Sequence, residues 1–482
     1  MNIKNKLKSS IWKTPFFFIK SILVFIKLTR AGALILILNI EIIPKKLKFI
    51  LRTFNFFIYK NDDEEIGSKL LKCLVELGPG YIKFGQALST RSDLLGPEVT
   101  KHLKNLQNNI KPFSSLIAKE IIENETKLLI NDIFMSFNET PIAAASVAQV
   151  HKGILKNGEK VAIKILRPKI EITLFRDFKF FYWTSKCIEF LIPEGKRLKL
   201  SQTVEVFSNI SLNEINLTME ASAADELAEN FKNHSNFRVP KIFWNLTSKK
   251  VLVLEYIEGI KIDDLPALKK YNHDINKITN ISAEVFFLQV FRDGFFHGDM
   301  HPGNIFIDKK GKLIPIDFGI MGRLNSKDRQ FLALLLTYLL DKNYKKVVEI
   351  HSEANMLGSD VSHEQLALAI RAISTPILNK PIGDISLAKL LGQILGLSKL
   401  YNIEIQSQFS LLQKTMLMAE GTARGLSPET NMWELSRPLI KKWIDETNDP
   451  FNILEEWFHK NKLILLKLPE IILKIDNLIS KK

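Results

Sequence analysis

Cysteine is nearly missing from this chain. Its two residues, Cys73 and Cys187, stand in unrelated contexts, which argues against a disulfide framework or a cysteine-built zinc site and fits a reducing compartment. Long uncharged apolar runs are missing too. A membrane-crossing helix needs about 20 largely uncharged residues. In the most apolar region, the first 60 residues, Lys20, Lys27, Arg30 and Glu41 interrupt the run and leave Ala31 to Asn39 as its longest clean stretch. No small-residue cleavage site follows it, so a signal peptide is not expected. Repeats and low-complexity segments are absent, and so are RNP-like, zinc-finger and helix-turn-helix patterns. The chain carries no nucleic-acid signature.

What is present is basic and ordered in composition: 482 residues, 46% hydrophobic, 25% charged, with a formal charge of +15. That balance favours an anionic partner, either a nucleotide or a phospholipid surface, over nucleic acid. Residues 1–60 read as basic amphipathic helix, suited either to lying in an anionic membrane interface or to packing on the main body. The C-terminal "NKLILLKLPEIILKIDNLISKK" has the same character, broken by Lys467, Pro469 and Lys474. Neither end is expected to span a bilayer.

Polar "KNDDEEIGSK" reads as a hinge, and the pattern from there to about residue 135 is helical, with a Gly-Pro-Gly break at 78–80. The period then changes. "ASVAQVHKGIL" and "KVAIKIL" are short strand-type runs joined across "KNGEK", where Asn157-Gly158 signals a hairpin turn. Residues 201–233 are helical, and "FRVPKIFWNLTSKKVLVLEYIEG" suggests two more strands. After Gly259 the pattern is helical apart from short strands at "NIFID" and "KLIPID". The expected fold class is α+β: a small mixed sheet domain with one internal helix, then a helical domain. The expected segments are 1–60, 61–135, 136–258, 259–440 and 441–482.

The chemistry concentrates in "HGDMHPGN" (297–304) and "PIDFG" (315–319). In protein-kinase-like folds an Asp lies five residues before an Asn, and a D-F-G follows. Asp299 and Asn304 have that separation, and Asp317-Phe318-Gly319 follows. Asn304 and Asp317 offer hard oxygen ligands for Mg²⁺ on nucleotide phosphates. Asp299 sits where a base would orient or accept the acceptor's proton. Upstream, "VAIK" puts Lys164 on a strand, positioned for the α- and β-phosphates of ATP or ADP. His297 and His301 bracket Asp299, but no third nitrogen or sulfur ligand accompanies them, so they are expected to order the loop by hydrogen bonds.

Two features depart from an ordinary protein kinase. The segment expected to cover the nucleotide, Ile142, Ala143, Ala144, Ala145, Ser146, Val147, Ala148, Gln149 and Val150, contains no glycine, although glycine is what lets backbone N–H groups close over phosphates. After D-F-G comes "IMGRLNSKDRQFLALLLTYLL", with no A-P-E and little chain to hold a peptide.

"KFGQALSTRSDLLGPE", "AAASVAQVHKG", "VAIKILRP", "HGDMHPGN", "DFG" and "EGTARGLSPE" together resemble the UbiB family of atypical kinase-like proteins, from about residue 60 to 440. The resemblance implies a bilobal protein-kinase-like fold with a small sheet lobe, a helical lobe and a helical N-terminal extension whose K-x-G-Q segment folds over the site. It makes Lys83, Gly85 and Gln86 site residues, and implies an ATP-dependent enzyme supporting ubiquinone biosynthesis. The implied location is peripheral, on the cytoplasmic face of a bacterial inner membrane, with biosynthetic enzymes or lipid precursors as partners. In "NEINLTMEA", Glu220 is expected to pair with Lys164 and Glu214 with Lys83. Asn216 and Asn108 stand where the family has Asp. "EGTARGLSP" is read as a helix end with Glu420 and Arg424 as an i,i+4 pair and Gly425 and Pro428 as terminators. The rival readings are a true protein kinase and a nucleotide-gated lipid-binding scaffold.

Overall fold

The computed structural model describes residues 15–38, 45–58, 64–89, 95–107, 111–191, 199–354, 356–358, 361–378, 386–401, 406–428 and 432–447. Asn108 and the C-terminal apolar segment lie outside them. The described chain divides into two compact units, one comprising 1–225 with 240–256 and the other 226–239 with 257–482.

The first unit opens with helices α1 (Pro15–Arg30), α2 (Ala33–Leu38), α3 (Lys45–Ile58), α4 (Ile66–Leu77), α5 (Pro79–Leu88), α6 (Pro97–Leu103) and α7 (Ser115–Thr126). The Gly-Pro-Gly break separates α4 from α5, where Gly78 takes φ +108° and Pro79 occupies the first turn. Strands β1 (Phe134–Phe137), β2 (Ala143–Ala144), β3 (Ala148–Leu155), β4 (Lys160–Leu166) and β5 (Val251–Glu255) form one sheet in the order β1-β3-β4-β5, with β2 on β3, antiparallel throughout. Gly158, at φ +85°, turns β3 into β4 as the Asn-Gly signal implies.

Between β4 and β5 the described residues form three helices rather than the one expected: α8 (Ile170–Leu191), α9 (Leu200–Asn213) and α10 (Leu217–Asn230). The helical pattern at 201–233 is broken at Ile215–Asn216, where the Thr218 hydroxyl donates to Asn216 Oδ1. A short polar side chain that binds nearby groups favours a helix boundary over a helix interior. Only β5 forms from the second predicted strand pair. Phe237–Leu246 contributes a 3₁₀ turn and single bridges, Ile242 to Leu254 and Phe237 to Leu313, where Pro240 interrupts regular pairing.

β4 alternates between two cores. Val161, Ile163 and Ile165 are fully buried against Ala118 and Ile122 of α7, while Ala162 and Leu166 face the cluster of Leu174, Phe178, Leu217 and Ala221 from α8 and α10. Period-two geometry therefore puts Lys164 on the α10 side.

α1 presents two faces. Val24 and Thr29 are buried, Phe17 packs on Phe180 and Trp183, and Lys20 pairs with buried Asp177 of α8 at 2.9 Å. Phe18, Ile19, Ile22 and Leu23 remain exposed, as do Phe49, Phe54 and Phe56 of α3. The N-terminal segment thus packs on the body and still shows an apolar surface. Among the described residues, no helix is long and apolar enough to cross a membrane.

The second unit contains β6 (Ile260–Lys261), α11 (Leu265–Lys270), α12 (Ile275–Phe287), a π-helical turn Leu288–Asp293, β7 (Phe295–His297), β8 (Ile305–Ile307), β9 (Leu313–Pro315) and β10 (Met321–Arg323). Helices α13 (Ser326–Leu340), α14 (Tyr344–Glu353), α15 (His363–Leu378), α16 (Leu387–Tyr401), α17 (Ser407–Leu426) and α18 (Met432–Thr447) follow. β6-β8-β9 form one small antiparallel sheet and β7-β10 another. Gly322 pairs with Phe296 so closely that a methyl group there would overlap the Phe296 ring. The expected Glu420–Arg424 pair does not form. Glu420 is buried and accepts from Ser386 Oγ and Ala388 N, capping α16, and α17 runs through Gly425 to Leu426. A bare helix N-terminus needs acceptors more than an exposed arginine needs a partner.

His151, His297 and His351 are all buried, and burial holds each imidazole below its ordinary 6.5. An unfolded chain binds those protons near pH 6.5 while the folded chain does not, so stability is complete above that value and declines as pH falls below it. Thermal unfolding should show the melting midpoint dropping between about pH 7.5 and about pH 5.5. A flat midpoint over that interval would mean the imidazoles are protonated in place.

Candidate active site

In the first unit, β4 and α10 bring Lys164 and Glu220 together. Lys164 lies in register with Val150 of β3 and Leu252 of β5. Glu220 stands in the first turn of α10 beside buried Ala221, and the Lys164 ammonium donates to both its oxygens, at 2.7 and 2.9 Å. Glu220 is 5% exposed, so the pair is dry enough to keep one geometry, and removing either member would strand a charge.

The K-x-G-Q helix α5 is docked by aromatic rings. Tyr81 and Phe84 meet Phe181 of α8, and Phe84 meets Phe207 of α9. That docking sets the Lys83 ammonium on Glu214, the residue that ends α9. Gly85 is needed for packing, because a methyl group there would come within 2.5 Å of Leu106 and 2.7 Å of Leu74. Gln86 donates to the Leu106 carbonyl at 3.1 Å, tying α5 to the following 3₁₀ turn. Glu214 and Glu220 belong to two helices, not to successive turns of one.

The alanine segment is a closed hairpin. Ile142 N donates to Val150 O, Ala145 N donates to Ala148 O, and Ser146, Val147, Ala148 and Gln149 are buried. Ala143 and Ala144 pair with Val150 and Gln149. The amide of Ala145 is therefore spent inside the hairpin. Arg167, not foreseen from the sequence, donates from Nε to Ala145 O and from Nη2 to Lys111 O, each at 3.0 Å. Gln149 exchanges hydrogen bonds with the main chain of Phe113. The segment is thus held from outside as well as closed from within.

In the second unit, one imidazole orders the catalytic-type loop. Burial keeps His297 neutral, and its Nδ1 accepts from Asp299 N at 3.1 Å while Nε2–H donates to the Asp317 carbonyl. Asp299 and Asp317 are tied through the same ring. His301 Nδ1 accepts from Gly303 N at 3.0 Å, which bends the loop toward Asn304. Both histidines order the loop.

Asn304 Nδ2 donates to the Asp299 carbonyl at 3.3 Å, committing its nitrogen and leaving the amide oxygen as the ligand atom. Ile316 N donates to Asn304 O, and Gly319 N donates to Asp317 Oδ1 at 3.1 Å. An amide oxygen and a carboxylate suit Mg²⁺, which takes few protein oxygens and completes its shell with phosphate and water. α13 begins at Ser326 under an Asn325–Asp328 capping box, so little more than β10 separates it from the D-F-G turn. A cavity of about 350 Å³ lies between Leu265, Pro302 of the loop, and Met418, Gly421 and Gly425 of α17.

Residues 105–351 match the ABC1 atypical kinase-like domain, and residues 370–431 match the UbiB helical domain. A protein from Marinobacter nauticus, named probable protein kinase UbiB, is 38% identical over 86% of this chain and 76% of its own length. Its namesake from Sodalis glossinidius is 36% identical over 89% of this chain and 81% of its own length. The Mycobacterium tuberculosis protein Rv3197, solved with erythromycin, is similar at 20% identity and a TM-score of 0.49, over 81% of this chain and 96% of that one. The ordered motifs, the two matched domains and the likeness to these relatives over most of the chain agree that it belongs to the UbiB family of atypical kinase-like proteins.

Proposed function

We propose that the protein binds Mg²⁺ and ATP and either hydrolyses the ATP or passes its γ-phosphoryl group to a small molecule, in support of ubiquinone biosynthesis at the cytoplasmic face of a bacterial inner membrane. The observation that carries this reading is the Lys164–Glu220 pair, a dry ion pair on a central strand that holds an ammonium as binding of phosphates requires. Lys164 would meet the α- and β-phosphates. Asn304 and Asp317 would hold the metal through their oxygens. Mg²⁺, when bound, neutralises the phosphate charge. Asp299 would orient the attacking water or hydroxyl and take its proton. The closed alanine hairpin and the early start of α13 favour a small acceptor over a peptide.

A membrane-surface partner is supported by α1 and α3. Their exposed Phe18, Ile19, Ile22, Leu23, Phe49, Phe54 and Phe56 stand among Lys27, Arg30, Lys48 and Arg52. Apolar area and basic charge together suit an anionic lipid surface. The same surface suits a nucleotide-gated lipid-binding scaffold, in which hydrolysis would serve a conformational change. Measuring ATP turnover with and without anionic vesicles and a phenolic quinone-precursor mimic separates the two: transfer yields a phosphorylated product, gating yields free phosphate alone.

Asp317→Asn should keep the fold and lose most Mg²⁺-dependent nucleotide affinity, because an amide cannot replace the only full charge assigned to the metal. Calorimetry with ADP, with and without Mg²⁺, reads this directly, and an unchanged metal dependence removes Asp317 from the site.

Replacing Phe49, Phe54 and Phe56 together by Ser should weaken co-sedimentation of the full chain with phosphatidylglycerol vesicles. The remaining binding should be salt-sensitive, at about 1 kcal/mol per basic residue near the surface. Equal binding by parent and variant would make α3 a surface helix of another kind.

A further inference from the structure

The loop 297–304 and the segment 315–319 contain two carboxylates and no lysine or arginine. Their histidines are already engaged, His297 between Asp299 and Asp317 and His301 on Gly303. Phosphoryl transfer places negative charge on oxygens around the phosphorus, and beyond Mg²⁺ and Lys164 a further positive charge beside Asp299 would stabilise it. α17 brings such a charge. Lys414 Nζ lies 3.8 Å from Asp299 Oδ1, with the two side chains 39% and 27% exposed.

The backbone beneath that lysine is fixed to the loop. The buried hydroxyl of Thr415 shares its one proton between Gly298 O at 3.1 Å and Leu411 O at 2.9 Å. Leu411 lies against Gly298, where a Cβ would come within 3.1 Å of its Cδ1. Lys414 therefore stands on a rigid base one residue from the loop's own anchor. Its ammonium, by contrast, is not locked. At 3.8 Å it is beyond ordinary hydrogen-bond length from Asp299, and a pair this exposed adds little to stability. A fixed stem with an uncommitted charge suits a group that waits for an anion.

We propose that Lys414 is a catalytic residue of this site, contributed by the helical domain, whose ammonium binds a non-bridging oxygen of the phosphoryl group in transit. This rests on the nucleotide reading above. In the step, the oxygen of the acceptor water or hydroxyl bonds to the γ-phosphorus while the bridging P–O bond breaks and its electron pair leaves with ADP. The acceptor's proton passes to Asp299 and then to solvent. Lys414 gains and loses no proton; it donates a hydrogen bond that strengthens as charge moves onto the oxygen.

The test compares the full-length parent with Lys414→Gln and Lys414→Arg. Turnover of Mg²⁺·ATP is measured with anionic vesicles present, together with calorimetric affinities for ADP and for ADP with aluminium fluoride, and the melting midpoint. Lys414→Gln should lower kcat by about a hundredfold, the scale for one charge-stabilising donor. It should leave KM, ADP affinity and the midpoint near those of the parent, and abolish the parent's preference for the aluminium fluoride complex. Lys414→Arg should recover most of that preference. Parent-like kcat and fluoride preference in Lys414→Gln overturn the inference and leave the nucleotide reading standing. Equal losses in Gln and Arg variants with a lowered midpoint overturn it in favour of packing. A parent that neither binds nor turns over ATP overturns the nucleotide reading, and this inference with it.

Discussion

A single neutral imidazole organises the chemistry-bearing part of the second unit. His297 accepts from Asp299 N and donates to the Asp317 carbonyl, which requires one tautomer and forbids a second proton. The two hydrogen bonds select the tautomer, and burial excludes the second proton by penalising the charged ring. The ring cannot shift without disturbing the loop and the D-F-G turn together. Its supports extend outward: Gln289, in the π-helical turn, accepts from His297 N, and Ile320 O accepts from Gly298 N. π-helical turns are rare and frequent at functional sites, and this one carries Gln289.

The first unit uses a different device. It relies on alternation along β4, with apolar residues turned to α7 and Lys164 turned to α10. The break at Ile215–Asn216 then lets two helices deliver two carboxylates to two lysines. An unbroken helix would fix Glu214 and Glu220 at one relative angle. The interruption frees each to meet its own partner.

The sequence made most of this visible where the cause is local. Asn157-Gly158 dictates a hairpin, "VAIK" alternates with period two, and the Asp299–Asn304 spacing is a property of one loop. What escaped notice depends on residues far apart. Thr415 reaches Gly298 across 117 positions and Arg167 reaches Lys111 across 56. Nothing in either neighbourhood announces the contact. Glu420 illustrates the same limit: its i,i+4 arginine is visible in sequence, while the helix N-terminus it caps is brought to it only by the fold. Lys20 misleads in the opposite direction. Read along the chain it interrupts an apolar run, whereas in the structure it faces inward to Asp177.

That inward lysine has a mechanical consequence. Asp177 is 97% covered along its side chain, its second oxygen has no hydrogen-bond partner among the described residues, and Gly80 of α5 abuts it with no room for a methyl group. Lifting α1 away would leave a carboxylate stranded, at a cost of about 3–5 kcal/mol. The helix therefore cannot be peeled from its seat by a weak pull. A force applied at its exposed apolar face is borne by α8 and by the helix carrying Lys83, so α1 behaves as a strut and not as a tether.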